Sequence, residues 1–281
     1  MKVSFVGIGL MNGSLSLDLQ SLYPDAVMQG ISRKEATLSC ALDLGLIHQT
    51  GDLHKLQDAD WVFVSIPVEA IAHLLPQILD AVGEKTLVID FGSTKSAICQ
   101  AVKNHPKRDQ FLAAHPIAGT EHSGPDAAVS ELYKGKTIML CETALTRDAL
   151  LDKAEKRVGQ LGMIIRRMDP VEHDKHIAYV SHLSHITSFM LGKTVLEKET
   201  DEQNIFDMAG SGFASTVRLA KSSPDMWMPI FAQNKQNVLE TLDEYIRNMN
   251  AFKEKLAADA HEELLAEMKE INKIKTILEH K

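Results

Sequence analysis

Little in this chain suits crosslinking, membranes or polyanions. Cysteine is scarce: Cys40, Cys99 and Cys141 are odd in number, far apart and without a CxxC pair. That excludes a disulfide framework and a zinc knuckle, and it fits a reducing compartment. No stretch reaches the roughly 18 apolar residues of a membrane span. The apolar run after Lys2 is broken by Gly7 and Gly9 before it attains the length of a signal sequence, so a cytoplasmic protein is expected. Positive charge is in deficit as well, with 30 Lys and Arg against 38 Asp and Glu, a net charge of -8. Nucleic acid and anionic membrane are therefore unsuitable partners, and an anionic small molecule would have to be held by a local cluster. Internal repeats and low-complexity segments are absent too.

What is present has the rhythm of an α/β protein. The 281 residues, 44% of them hydrophobic, suit two domains of ordinary size. In residues 1–168, short β-rich runs alternate with amphipathic stretches, as in a parallel sheet with crossover helices. The expected strands are Lys2–Val6, Val27–Ile31, Trp61–Ile66, Thr86–Asp90, Phe111–Ala114, Thr137–Cys141 and Met163–Arg166. From Asp169-Pro170, a helix-starting pair, strand signals almost vanish. The chain is thus expected to be a Rossmann-like dinucleotide-binding domain, 1–168, followed by an all-helical domain, 169–281.

Gly7-Ile8-Gly9-Leu10-Met11-Asn12-Gly13 stands between the first strand and a helix. Glycine lets the backbone turn tightly and approach a pyrophosphate, which then sits at the amide-rich helix N-terminus. Asn12 holds the third glycine position of the usual pattern. Gly7, Gly9, Leu10 and Met11 are the expected cofactor contacts, with Ser65 and Pro67 after the strand at Trp61, and Ser32 and Arg33 at the end of the second strand. An NAD site normally has an acid at that strand end; here a hydroxyl precedes two cations, Arg33 and Lys34, which favours NADP over NAD.

Two further segments, Asp90-Phe91-Gly92-Ser93-Thr94-Lys95 and His115-Pro116-Ile117-Ala118-Gly119-Thr120-Glu121, lie at carboxyl ends of strands, where open α/β sheets bind ligands. His115, expected on the turn that follows its strand, could act as a general base or serve as a structural cap. On a helix through His173-Asp174 and Ser181-His182-Leu183-Ser184-His185, regular spacing puts Asp174, Ala178, Ser181 and His185 on one stripe. His173, His176 and His182 then point elsewhere, so no metal site is expected. Arg218 interrupts an apolar run and needs an anionic partner, either a protein glutamate or a substrate carboxylate.

Taken in order, the glycine loop, Gly-Ser-Thr-Lys, His-Pro-Ile-Ala-Gly-Thr-Glu, the His-Asp helix with Ser-His-Leu-Ser-His, and Gly-Phe-(x)4-Arg followed by Trp227 resemble the prephenate dehydrogenase family, also called cyclohexadienyl dehydrogenases. The resemblance implies a Rossmann-like domain and a helical domain that intertwines into a homodimer through the C-terminal helices, with the site between the domains. It implies oxidative decarboxylation of prephenate with a nicotinamide cofactor and no metal. By the same resemblance His115 receives the proton of the ring hydroxyl, with Ser93 hydrogen-bonded to it. Arg218 binds a substrate carboxylate, His185 and Ser181 surround the pyruvyl side chain, Glu121 is an acidic gate, and Trp227 reaches the partner's site. Where the family often carries an aspartate, Ser215 stands here. Arogenate in place of prephenate, another Rossmann hydroxy-acid dehydrogenase and a nucleotide sensor without turnover remain as alternatives; His185 leans toward the keto acid.

Overall fold

A computed structural model describes residues 1–279. Its sheet has the strand order β3-β2-β1-β4-β5-β6-β7-β8. The strands are β1 (Lys2–Val6), β2 (Val27–Ile31), β3 (Gln49–Thr50), β4 (Trp61–Val64), β5 (Leu87–Asp90), β6 (Phe111–Pro116), β7 (Thr137–Cys141) and β8 (Ile164–Met168). The first six follow the doubly wound order, with its reversal between β1 and β4. Alternate residues feed two cores: Phe5, Trp61, Phe63 and Ile89 on one face, Val6, Val62, Val64 and Val88 on the other. Burial on both faces is why these strands read as nearly continuous apolar runs. Helices α1 (Leu10–Leu22) and α5 (Asp148–Gln160) contribute to the first core, α3 (Val68–Ala81) and α4 (Ser96–Ala101) to the second. Helix α2 (Glu35–Asp43) follows β2.

The expected parallel sheet needs one correction, because β7 runs antiparallel to β6. No α-helix separates these two strands, and without a crossover helix the chain simply turns back. Pairing with β7 also lengthens β6, so that His115 lies within a strand, opposite Met139, and not on the turn after it. At the other end β4 stops at Val64, before the turn at Ser65, and the two-residue β3, which carries no strand signal of its own, pairs with β2.

The sheet ends at Met168, and Asp169 caps the next helix by accepting the Val171 amide at 2.8 Å. Helices α6 (Pro170–Ile177) and α7 (Leu183–Glu202) are joined by a π-helical turn, Ala178–His182. Then come α8 (Ser211–Thr216) and α9 (Pro224–Gln233). By compactness the chain forms two units, Met1–Lys235 and Gln236–Lys281. The second consists of nearly all of α10 (Lys235–Ala257), α11 (His261–Ile271) and α12 (Ile274–Glu279), with α10 and α11 joined by the Lys255–Glu267 ion pair at 2.6 Å. Among the described residues no helix is long and apolar enough to cross a membrane.

Candidate active site

The carboxyl edge of the sheet carries the glycine loop. Gly7 has φ +82°, and a Cβ there would lie 2.3 Å from the Ser65 carbonyl oxygen, so backbone meets backbone. Gly9 caps α1 without a side-chain hydrogen bond, leaving the first amides of α1 available to an anion. Asn12 is buried at the third glycine position and ties the loop down, its Nδ2 donating to the carbonyls of Gly7 at 2.6 Å and Phe63 at 3.2 Å. Close helix packing passes to Gly13, where a Cβ would come within 2.8 Å of the Ala128 Cβ. These features fit a dinucleotide pyrophosphate. Pro67 opens α3 beside this loop, and at the end of β2 the Ser32 hydroxyl accepts the Lys34 amide at 3.1 Å. Arg33 and Lys34 are exposed, with no ion pair among the described residues.

His115 stands on the same edge, on β6, three strands from the β1 that leads into the glycine loop. Beneath it, fully buried Lys95 donates to the Asp90 carboxylate and, at 2.7 Å, to the Ala114 carbonyl. Asp90 also accepts the Gly92 amide at 2.9 Å, which folds the Gly-Ser-Thr loop back over the end of β5. Burial, then the neighbouring His173, Lys95 and His182, hold His115 well below the ordinary imidazole range. Its ring is therefore neutral and able to accept a proton at physiological pH. The expected Ser93–His115 hydrogen bond is not formed; the Nδ1 of His115 faces His173 Nε2 at 2.9 Å instead.

That contact overturns the stripe expected on the helix. A π turn inserts one extra residue and rotates all later side chains by roughly 100°. Asp174, before the turn, faces the start of α4, accepting the amides of Lys95 at 2.7 Å and Ser96 at 2.8 Å, while His185, after it, is turned into another cluster. His173 and His182, expected to point away, are both buried against the site. His182 meets the Asn234 amide at 3.2 Å, and burial pushes its pKa down to about 4. His185 donates from Nδ1 to the Ser181 carbonyl at 2.9 Å, so the contribution of Ser181 is its backbone, and burial lowers the His185 pKa. Trp227 stacks on His185 of the same chain, with ring centroids 3.6 Å apart. Helix α9 is seated by a small core of Val68, Trp227 and Ile230 and by the hydrogen bond of Thr94 to Gln233.

Arg218 begins the short 3-10 turn Arg218–Lys221 and is half-exposed, despite its apolar neighbours in sequence. Its partner is a protein carboxylate, Glu121, at 3.2 Å. Glu121 is held below the usual carboxylate range chiefly by its own backbone amide and, against the opposing effect of burial, by Arg218 and His122. Ser215 donates to the Gly212 carbonyl of its own helix, at 2.9 Å.

Residues 15–165 match the family model described as the prephenate dehydrogenase nucleotide-binding domain, and residues 169–270 match the prephenate dehydrogenase dimerization domain. The chain belongs to the prephenate dehydrogenase family. A prephenate dehydrogenase of Bacillus subtilis is 28% identical over 255 residues, 89% of this chain and 69% of that protein. Among solved structures, prephenate dehydrogenase from A. aeolicus in complex with hydroxyphenyl propionate and NAD+ superposes with a TM-score of 0.89 at 32% identity, covering 99% of this chain and 97% of that one. Arogenate dehydrogenase from Synechocystis gives a TM-score of 0.79 at 27% identity, covering 98% and 99%. The nucleotide-binding match begins at residue 15, after the glycine loop. The residues that sequence reasoning missed are His173 and Asp174. Only the adjacency of a His and an Asp before Ser-His-Leu-Ser-His hinted at them, and regular helical spacing argued the wrong way.

Proposed function

We propose that this protein oxidatively decarboxylates prephenate to 4-hydroxyphenylpyruvate, with NADP preferred over NAD. The observation that carries the reading is His115, a neutral accepting imidazole on the carboxyl edge that also bears the glycine loop, in a chain both of whose segments match this family. The loop of Gly7, Gly9, Leu10 and Met11 and the turn of Ser65 and Pro67 would hold the nicotinamide dinucleotide, which would supply the hydride acceptor for the substrate's hydroxyl-bearing carbon. His115 takes the hydroxyl proton as the carbonyl forms. The ring carboxylate then leaves as CO2, its bonding pair makes the ring aromatic, and the proton returns to the phenolate oxygen. Ser93 orients the hydroxyl, and Arg218 exchanges Glu121 for a substrate carboxylate. His185, Ser181 and Trp227 enclose the pyruvyl side chain and exclude water.

Residues 1–168 bind the dinucleotide, and residues 169–281 complete the substrate side and the homodimer in the cytoplasm. The dimer is supported by the matched dimerization domain and by exposed apolar side chains on α10 and α11, among them Ile246, Met249, Phe252, Met268 and Ile271. The NADP preference rests on Ser32 and the unpaired charge of Arg33. A second reading, arogenate as substrate, is favoured by the likeness to the Synechocystis enzyme.

Steady-state kinetics with prephenate and arogenate, each with NAD and NADP, tests all parts. The highest kcat/KM is expected with prephenate and NADP, and Ser32→Asp with Arg33→Ala should move the preference toward NAD. No reduced nicotinamide with either substrate would overturn the activity, and a parent enzyme favouring NAD would overturn the cofactor reading.

A further inference from the structure

A histidine that accepts a proton must present a lone pair to the ligand, and which of its two nitrogens does so depends on what the other one bonds. For His115 the answer lies two residues deep. Asp174 is buried; its Oδ1 accepts the Lys95 amide at 2.7 Å and its Oδ2 the Ser96 amide at 2.8 Å. Burial alone would raise this carboxyl, but the His173 ring and the two amides outweigh it and hold Asp174 below the usual carboxylate range. An ionised carboxylate only accepts. His173 Nδ1, 2.9 Å from Asp174 Oδ1, therefore carries a hydrogen.

The rest follows by the same rule. With that hydrogen as its only one, His173 has its lone pair on Nε2, and His115 Nδ1, 2.9 Å away, is then the donor. The two rings meet edge to face, at 67° with centroids 5.1 Å apart, which suits an N–H aimed at an in-plane lone pair. The remaining lone pair of His115 is then on Nε2. The other charged or titratable groups around His115 are Lys95, which is already engaged by Asp90 and the Ala114 carbonyl, and His182, which is bonded to Asn234. Asp174 is thus the anion that the chain of rings leads to.

We propose that His173 and Asp174 are positioning residues, a relay anchored on the backbone amides of Lys95 and Ser96, which fixes His115 as the Nδ1–H tautomer with its Nε2 lone pair free and steadies the imidazolium formed on protonation. Once Nε2 takes a proton, the Nδ1–H bond to His173 becomes charge-assisted, and His173 leans on Asp174 without either ring moving. The chemical role given to His115 rests on the proposed function; the tautomer does not.

The test pairs a measurement that needs no turnover with one that does. In the full-length protein labelled with 15N-histidine, long-range proton–nitrogen spectra identify which His115 nitrogen bears hydrogen; Nδ1 is expected. His173→Leu removes the acceptor, and Asp174→Asn allows His173 to reverse. In both, His115 should populate the Nε2–H form, and kcat should fall roughly 10- to 100-fold with KM little changed and the acid limb of the pH profile displaced. His173→Gln, whose Oε1 can still accept from His115, should restore the Nδ1–H form and most of kcat. Nε2–H in the parent, or an unmoved tautomer and pH profile in His173→Leu, would overturn the relay. A parent with the expected tautomer that oxidises neither prephenate nor arogenate would overturn the proposed function and leave the tautomer shifts in the variants to decide the relay.

Discussion

The two halves of the site are built from different material. The cofactor half is backbone: Gly7 at φ +82° with the Ser65 carbonyl close against it, and the bare N-terminus of α1. The helical half is side chain: His173, Asp174, His182, Asn234, His185 and Trp227 holding one another through ring nitrogens, amides and ring faces. A backbone site depends on which residues lack a Cβ, whereas a side-chain site depends on where a helix points its residues. The first tolerates almost any polar neighbour but no bulk. The second depends on register and tautomer.

Substitutions that touch one half and spare the other sharpen this contrast. The largest effect is expected where the halves meet. His115→Asn should keep its fold and its cofactor affinity yet lose roughly 10²- to 10⁴-fold in kcat; turnover near that of the parent across the pH range would remove His115 from the chemistry. In the backbone half, Gly7→Ala places a Cβ 2.3 Å from the Ser65 carbonyl. Cofactor Kd, read by fluorescence titration, should rise more than about tenfold, since a left-handed residue with a Cβ already costs roughly 1–2 kcal/mol before any collision. Gly45→Ala, at φ +67° with nothing near its Cβ, should leave that Kd unchanged.

In the helical half, Arg218→Ala should raise the apparent KM about 10- to 100-fold with a smaller change in kcat, because a carboxylate clamp acts in the ground state as well. An unchanged KM would make the Glu121 ion pair purely structural. The smallest effect concerns acid. Folded His182, with a pKa of about 4, binds its proton less readily than the unfolded chain does at about 6.5. Its contribution is therefore complete above about pH 6.5 and is lost as pH falls toward 4, on the order of 2 kcal/mol at pH 5. Urea unfolding at pH 7 and pH 5 should show this loss in the parent and a smaller one in His182→Gln. Equal losses would mean that other groups govern the acid lability.

The sequence was legible where its signals were local. Glycines between a strand and a helix mark the loop directly, and short β-rich apolar runs mark every strand of more than two residues. Direction was not local: nothing within Thr137–Cys141 distinguishes a parallel strand from the antiparallel one observed. Register failed similarly at Ala178–His182, where Ala-Tyr-Val-Ser-His reads as ordinary helix, and the π turn there redistributes every histidine downstream. His173 lies before that turn and was hidden for another reason: its partner His115 comes from a strand that is distant in sequence. Motif order survives both difficulties because it requires no geometry, which is why the family was recognisable although the relay was not.

The antiparallel return of β7 keeps the chain between Pro116 and Thr137 on the edge of the sheet that bears the site, and this connection touches both halves. Glu121 reaches Arg218, while the Tyr133 hydroxyl donates to the Met11 carbonyl at 2.6 Å and the Val129 amide donates to Ser14 at 2.9 Å. Gly119 at φ +133° and Gly124 at φ +90° let it bend between those attachments. Were a ligand that draws Glu121 off Arg218 to shift this segment, which also backs α1, the two binding events would share one free energy of coupling. Reciprocity gives that sharing a numerical form: whatever factor a substrate analogue imposes on the cofactor's dissociation constant, the cofactor must impose on the analogue's.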